Sequence, residues 1–96
     1  MLLTFGGNKV SPEEIENVVK QIPGVADCGC IPVEDSDKGS VPKLFVQMNI
    51  GQEFNPIGIR TFIAKKLEPY KVPQYIVPIP KIPRSYNGKL LRKELR

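Results

Sequence analysis

Ser11-Pro12-Glu13-Glu14-Ile15-Glu16-Asn17-Val18-Val19-Lys20-Gln21-Ile22-Pro23-Gly24 is the most strongly patterned stretch of this chain. Ser11 suits a helix N-cap, Pro12 suits the first helical position, and Glu14 stands three residues after Ser11, the spacing of a capping box. Val10 and Ile15 hold the positions of a hydrophobic staple. Ile15, Val18, Val19 and Ile22 recur at i, i+3, i+4 and i+7, so a helix here carries one apolar stripe for burial. Pro23-Gly24 ends it. Glu13, Glu16 and Lys20 fall on the other side, and the pattern predicts that they face water without chemistry of their own.

The stripe needs a sheet to cover, and the flanking residues supply one. Residues 25–34 and 43–50 read as strands. In the second, Leu44, Val46, Met48 and Ile50 alternate with Phe45, Gln47 and Asn49, which predicts one face toward the core. Glu34 to Ser40 is a polar turn joining antiparallel neighbours, and its three acids lack the loop length and terminal glutamate of an EF-hand. Cys28 and Cys30 flank Gly29 and share one side of their strand. Without any histidine, two sulfurs are too few for a structural zinc site. A redox pair or shared metal site stands as the alternative to the favoured reading, two small buried apolar side chains, and no metal ligand set is assigned. Asn55-Pro56 opens a second helix with Ile59, Phe62, Ile63 and Leu67 as its stripe, stopping at Glu68-Pro69. Tyr75-Ile76-Val77, extending toward Pro78-Ile79, is a short strand that its prolines confine to an edge or an end. Upstream, Leu2 to Phe5 and Asn8 to Val10 flank Gly6-Gly7 as the arms of a tight hairpin. The order predicts a small α+β domain: a mostly three-stranded sheet with two helices on one face, an N-terminal hairpin and a C-terminal tail.

The tail carries the charge. Pro83-Arg84-Ser85-Tyr86-Asn87-Gly88-Lys89 is a loop with an Asn-Gly turn signal. It delivers Lys89 and passes into what reads as a short basic helix with Leu91 and Leu95 four apart on one face. Residues 81–96 hold six basic groups against Glu94 alone, a local balance of +5, in a chain of net charge +4. Such a patch favours an anionic partner: phosphates, nucleic acid, a lipid surface or an acidic protein. The tail has a single aromatic, Tyr86, which argues against stacking on nucleic acid. Ninety-six residues fit one domain with a small core. No apolar run approaches the roughly 20 residues of a membrane helix, and the N-terminus lacks a signal layout, so a soluble, cytoplasmic chain is expected.

Four motifs then fall in register. Gly7-Asn8-Lys9-Val10-Ser11-Pro12-Glu13-Glu14-Ile15-Glu16, Pro23-Gly24-Val25, Tyr70-Lys71-Val72-Pro73, and Ile82-Pro83 through Asn87-Gly88-Lys89 to Arg92-Lys93-Glu94-Leu95 resemble the C-terminal domain of the AMP-forming adenylating enzymes. That superfamily includes acyl-CoA synthetases, peptide-synthetase adenylation domains and luciferases. The resemblance implies that residues 1–96 are one such domain, a hairpin over 1–10, an α+β body over 11–80, and a lysine loop with a short helix over 81–96. It implies a lid that starts just past its hinge and works on a missing N-terminal domain, which carries the ATP and acyl sites. The isolated piece is expected to be inactive and to bind no ligand.

What the resemblance implies for chemistry is a two-step ligase using ATP with Mg2+, a carboxylic acid, and coenzyme A. Lys89 matches the lysine that reaches the site during adenylation, with Asn87 and Gly88 positioning it. Gly6, Gly7, Asn8 and Lys9 match the hairpin that lines the pantetheine tunnel, although Lys9 stands where arginine is common. Arg84, Arg92, Lys93 and Arg96 are candidates for the nucleotide of coenzyme A or an acidic carrier protein, with a solvated basic face as the plain alternative. Pro83 and Gly88-Lys89 also resemble the context in which protein acetyltransferases modify this lysine in bacterial acyl-CoA synthetases. The competing readings are the lid of a ligase that loads a carrier protein and a stand-alone basic binding module.

Overall fold

The computed structural model describes residues 3–5, 8–37 and 39–95, with backbone alone for residues 3–5 and 8–10. Strands β1 (Leu3–Phe5) and β2 (Asn8–Val10) form an antiparallel hairpin, Thr4 opposite Lys9 and Phe5 opposite Asn8. Helix α1 (Pro12–Val19) follows, then β3 (Val25–Asp35), β4 (Gly39–Met48), helix α2 (Pro56–Lys66) and β5 (Tyr75–Pro78). The main sheet has the order β3-β4-β5. The β3–β4 pair is antiparallel around a tight turn; β5 joins β4 in parallel after the α2 crossover and is an edge, as its prolines require.

One face of the sheet takes the helices. Ile15 and Val19 from α1, Ile59 and Ile63 from α2, and Cys28, Cys30, Leu44 and Val46 from the strands form a single buried cluster. Each Ile, Leu or Val side chain of the cluster taken fully out of water contributes roughly 1.5–3 kcal/mol before entropy is counted. Asn55 caps α2, its side chain accepting from the Gly58 N–H at 3.0 Å.

Several expectations need correction. The capping box at α1 does not form: Ser11 makes no side-chain cap bond and its hydroxyl donates instead to Glu13 at 3.3 Å. Glu14, its expected partner, pairs with Lys71 at 2.9 Å, tying α1 to a 3-10 turn at Pro69–Lys71. Val10, the staple partner, has a side chain outside the described residues. The second strand begins at Gly39 and ends at Met48, so Ile50 lies beyond it and is fully exposed. Nor is only one face of β4 buried. Phe45, on the reverse side, is 4% exposed and packs with Ile82 and Leu95. The C-terminal tail folds back under the sheet and buries the face that simple alternation left to solvent.

That return also changes the tail. In place of a helix there is a 3-10 turn at Arg92–Glu94. Leu95 is buried and Leu90 packs beside it, whereas Leu91 is exposed, so Leu91 and Leu95 do not share a face.

Candidate functional site

A register irregularity between Val25 and Asp27 sets up the site. It lets Val25 and Cys28, three residues apart, both face the helices, and it leaves Asp27 on the tail side. Gln47, directly opposite Asp27 on β4, also reaches the tail and accepts from the Ile82 N–H at 2.8 Å.

Asp27 holds the lysine loop. Arg84 donates from Nε to Asp27 Oδ2 at 2.6 Å and from Nη2 to Oδ1 at 2.8 Å, a fork-on-fork pair. Its third nitrogen, Nη1, donates to the Gly88 carbonyl at 3.0 Å. The Arg84 hydrogen bonds hold the Asp27 carboxyl below its ordinary range. Arg84 and Leu90 face each other as an antiparallel bridge, and the Ser85 N–H donates to the Lys89 carbonyl at 2.9 Å. The Gly88 N–H closes the turn onto the Ser85 carbonyl, also at 2.9 Å, and Gly88 takes φ +89. That backbone conformation is the one a three-residue hairpin loop needs at its last position, and glycine adopts it without a Cβ penalty. Ser85 Oγ donates to Asn87 Oδ1 and accepts the Lys89 N–H at 3.1 Å.

The loop backbone and the Ser85 hydroxyl are thus held by internal bonds, whereas the side chains of Tyr86 and Lys89 face solvent. The Lys89 side chain is exposed and meets no partner among the described residues. Beside it runs an open groove of about 480 Å³ lined by Lys89 to Glu94.

Arg84 and Arg92, in the same tail, are not part of a free patch. Arg92 donates from Nη1 to Glu16 Oε2 at 2.8 Å and to the Cys30 carbonyl at 2.5 Å, and from Nη2 to Glu13 at 3.0 Å. Glu16, expected in water, is 6% exposed and accepts the Cys30 N–H at 2.7 Å. Arg84 and Arg92, expected to offer charge to a partner, thus spend it inside the fold, and together with Glu16 they cover the outer edge of β3. Arg96 lies outside the described residues.

Sequence reasoning missed Asp27 and Glu16. Each left a signal: Asp27 interrupts the otherwise apolar run of residues 25–33, and a charge there requires a partner. Glu16 stands four after Pro12 and three before Val19, both buried. The two thiols are buried and unoxidised, as favoured, and burial with Glu16 nearby pushes both up to about 12. Of the hairpin positions, Asn8 and Lys9 lie in β2, while Gly6 and Gly7 lie outside the described residues. Among the described residues no helix is long and apolar enough to cross a membrane.

A two-helix, three-stranded domain that braces a glycine-lysine loop at its C-terminus defines a class, and comparison with known proteins identifies it. The chain belongs to the AMP-binding enzyme C-terminal domain family, whose pattern matches residues 14–89. It is 38% identical over 95 residues to the 2-succinylbenzoate–CoA ligase of Lactococcus lactis, covering 99% of this chain and 20% of that protein. It is 33% identical over 94 residues to the 4-coumarate–CoA ligase-like 5 protein of Oryza sativa, covering 98% and 17%. Among solved structures, a fatty acyl CoA synthetase of Mycobacterium tuberculosis superposes with a TM-score of 0.90 at 30% identity, over 99% of this chain and 19% of that one. The chain spans about a fifth of the length of the curated relatives it matches.

Proposed function

We propose that this domain is the lid of an ATP-dependent, AMP-forming ligase that joins a carboxylic acid to coenzyme A, and that Lys89 is the group it lends to adenylation. The carrying observation is the loop geometry: three Arg84 hydrogen bonds and the Ser85 contacts fix the backbone around a lysine whose own ammonium is exposed. Membership of the AMP-binding enzyme C-terminal domain family and relatives named as CoA ligases support the reaction class. Because the chain spans about a fifth of those relatives, we assign the ATP and acid sites to a separate, larger domain of the same ligase.

In the first half-reaction the carboxylate attacks the α-phosphorus of ATP, giving the acyl-adenylate and releasing pyrophosphate. In the second, a thiol attacks the acyl carbonyl and AMP leaves. The first step brings an anion onto a polyanion and gathers charge on the oxygens around phosphorus. An ammonium held between them offsets the repulsion, an effect of roughly 3–4 kcal/mol for one well-aimed group. A lysine on a braced loop arrives with its backbone already ordered, so little is lost to loop entropy at that moment. Mg2+ accompanies ATP, but no group of three His, Cys, Asp or Glu among the described residues is arranged to hold a metal ion. Its ligands belong to the larger domain.

The hairpin is assigned to the second step. Gly6 and Gly7 would let the pantetheine arm pass close to the backbone, with Asn8 and Lys9 beside it in β2. The tested pair is Lys89→Ala and Gly7→Leu in the complete ligase, with each half-reaction followed separately. Lys89→Ala is expected to slow adenylate formation by about 10²- to 10³-fold and to spare thioester formation from supplied acyl-adenylate. Gly7→Leu is expected to do the reverse. Equal loss of both half-reactions in either variant would count against step-specific roles.

The same exposure makes Lys89 open to a protein acetyltransferase, and acetylation would remove the charge the first step needs. Mass spectrometry of the ligase after incubation with acetyltransferase and acetyl-CoA should find the modification at Lys89; an unmodified Lys89 would dismiss this regulation.

A further inference from the structure

Arg84 stands out because sequence reasoning placed it at the surface as one more basic group, yet all three of its nitrogens are occupied inside the domain. Two bind Asp27, on β3 and 57 residues away, and the third binds the carbonyl of Gly88, the residue bonded to Lys89. Its side chain is 27% exposed and that of Asp27 is 20% exposed. We propose that Arg84 is a positioning residue for Lys89: it ties the peptide unit between Gly88 and Lys89 to β3 of the central sheet, so that the lysine side chain reaches out from one fixed backbone position when the lid closes. This rests on the role proposed for Lys89.

The residue type follows from the geometry. The guanidinium is planar and presents its donors as a fixed fork, so seating two on Asp27 determines where the third points. A lysine at this position has one nitrogen and could satisfy Asp27 or Gly88 but not set the angle between them. Arg92, although also buried against acids, grips α1 and Cys30 and leaves the loop backbone untouched. Of the two arginine clamps, only that of Arg84 ends on the peptide unit that carries the lysine.

With its three nitrogens engaged internally, Arg84 is assigned no direct contact with substrate. If it acts only through Lys89, removing it must matter only while Lys89 is present. In the complete ligase, Arg84→Ala is expected to lower the turnover of adenylate formation by roughly 10- to 100-fold, the range for a catalytic group displaced by about 1 Å. KM for ATP should stay within about twofold, and thioester formation from supplied acyl-adenylate should be unchanged. Arg84→Lys should restore little, and Asp27→Asn, which keeps the side-chain volume, should show the same half-reaction bias to a smaller degree.

The deciding measurement is the double variant. Arg84→Ala combined with Lys89→Ala should be no slower in adenylation than Lys89→Ala alone. Multiplying losses would overturn the proposal, because Arg84 would then be acting on substrate directly. Equal loss in both half-reactions for Asp27→Asn and Arg84→Ala would also overturn it, marking the pair as a fold brace only. If Lys89→Ala itself leaves adenylation intact, it is the functional reading that fails, whatever Arg84 does.

Discussion

The carboxylate of Glu16, on the first helix, lies 2.8 Å from the guanidinium of Arg92, 76 residues later, and the same oxygen accepts the Cys30 N–H at 2.7 Å. One buried acid therefore joins α1, the edge of β3 and the C-terminal turn. Removing one member of such a group leaves the other uncompensated, which costs far more than an exposed pair is worth. Arg92→Ala should lower the stability of this chain by about 3 kcal/mol, and Glu16→Gln by less, since the amide still accepts the Cys30 N–H. Urea unfolding of the variants measures both; a loss below roughly 0.5 kcal/mol for Arg92→Ala would reduce the contact to a surface pair.

The Asp27–Arg84 pair gives a pH signature. Arg84 holds the folded-state carboxyl of Asp27 below its ordinary range, so the stability it contributes is complete above the unfolded value of about 3.9 and is lost as pH falls through the lower folded value. Stability measured by denaturant from pH 5 downward should fall less steeply in Asp27→Asn than in the parent. Parallel curves would mean that another carboxylate dominates acid sensitivity.

Cys28 and Cys30 should behave as inert packing. Both are buried, and both thiols are pushed up to about 12, chiefly by that burial. An aromatic disulfide reagent at mildly alkaline pH should label neither thiol in the folded chain and both once denaturant unfolds it. Rapid stoichiometric labelling of the folded chain would revive the redox reading.

Gly29 marks where the tail meets the sheet. A Cβ there would come within 2.8 Å of Leu95 Cδ1 and 3.2 Å of Leu90 Cδ1. Those are side-chain ends that move only by loosening the tail. Gly29→Val should destabilise by about 1–3 kcal/mol, read from its thermal unfolding. An unchanged or raised midpoint would mean that the tail yields without loss.

What could be read from the sequence was local. Periodicity placed both helices, since the stripes Ile15/Val19 and Ile59/Ile63 are written within one or two turns each, although the first helix ends at Val19, short of the Ile22 and Pro23-Gly24 expected to finish it. The strands and the lysine loop carried turn signals of equal range. Hidden from such reading were the contacts that close over long separations: Arg84 with Asp27, Arg92 with Glu16, and Phe45 under Leu95. Alternation along β4 could not reveal the second buried face because its cover over Phe45 comes from Ile82 and Leu95, far downstream in the chain. The capping box failed for a related reason, as Glu14 found Lys71, a full charge, instead of the helix end. The motif singled out Lys89 as a candidate, and the contacts around it came only with the fold.

The central claim is that the Lys89 ammonium enters the adenylation site of the ligase. A crystal structure of the complete ligase trapped with a non-hydrolysable acyl-adenylate mimic tests this most directly. Lys89 Nζ should lie within hydrogen-bond distance, about 3 Å, of an oxygen of the mimic's phosphate or its acyl bridge. Lys89 in bulk water, with a different cation on those oxygens, would contradict the account.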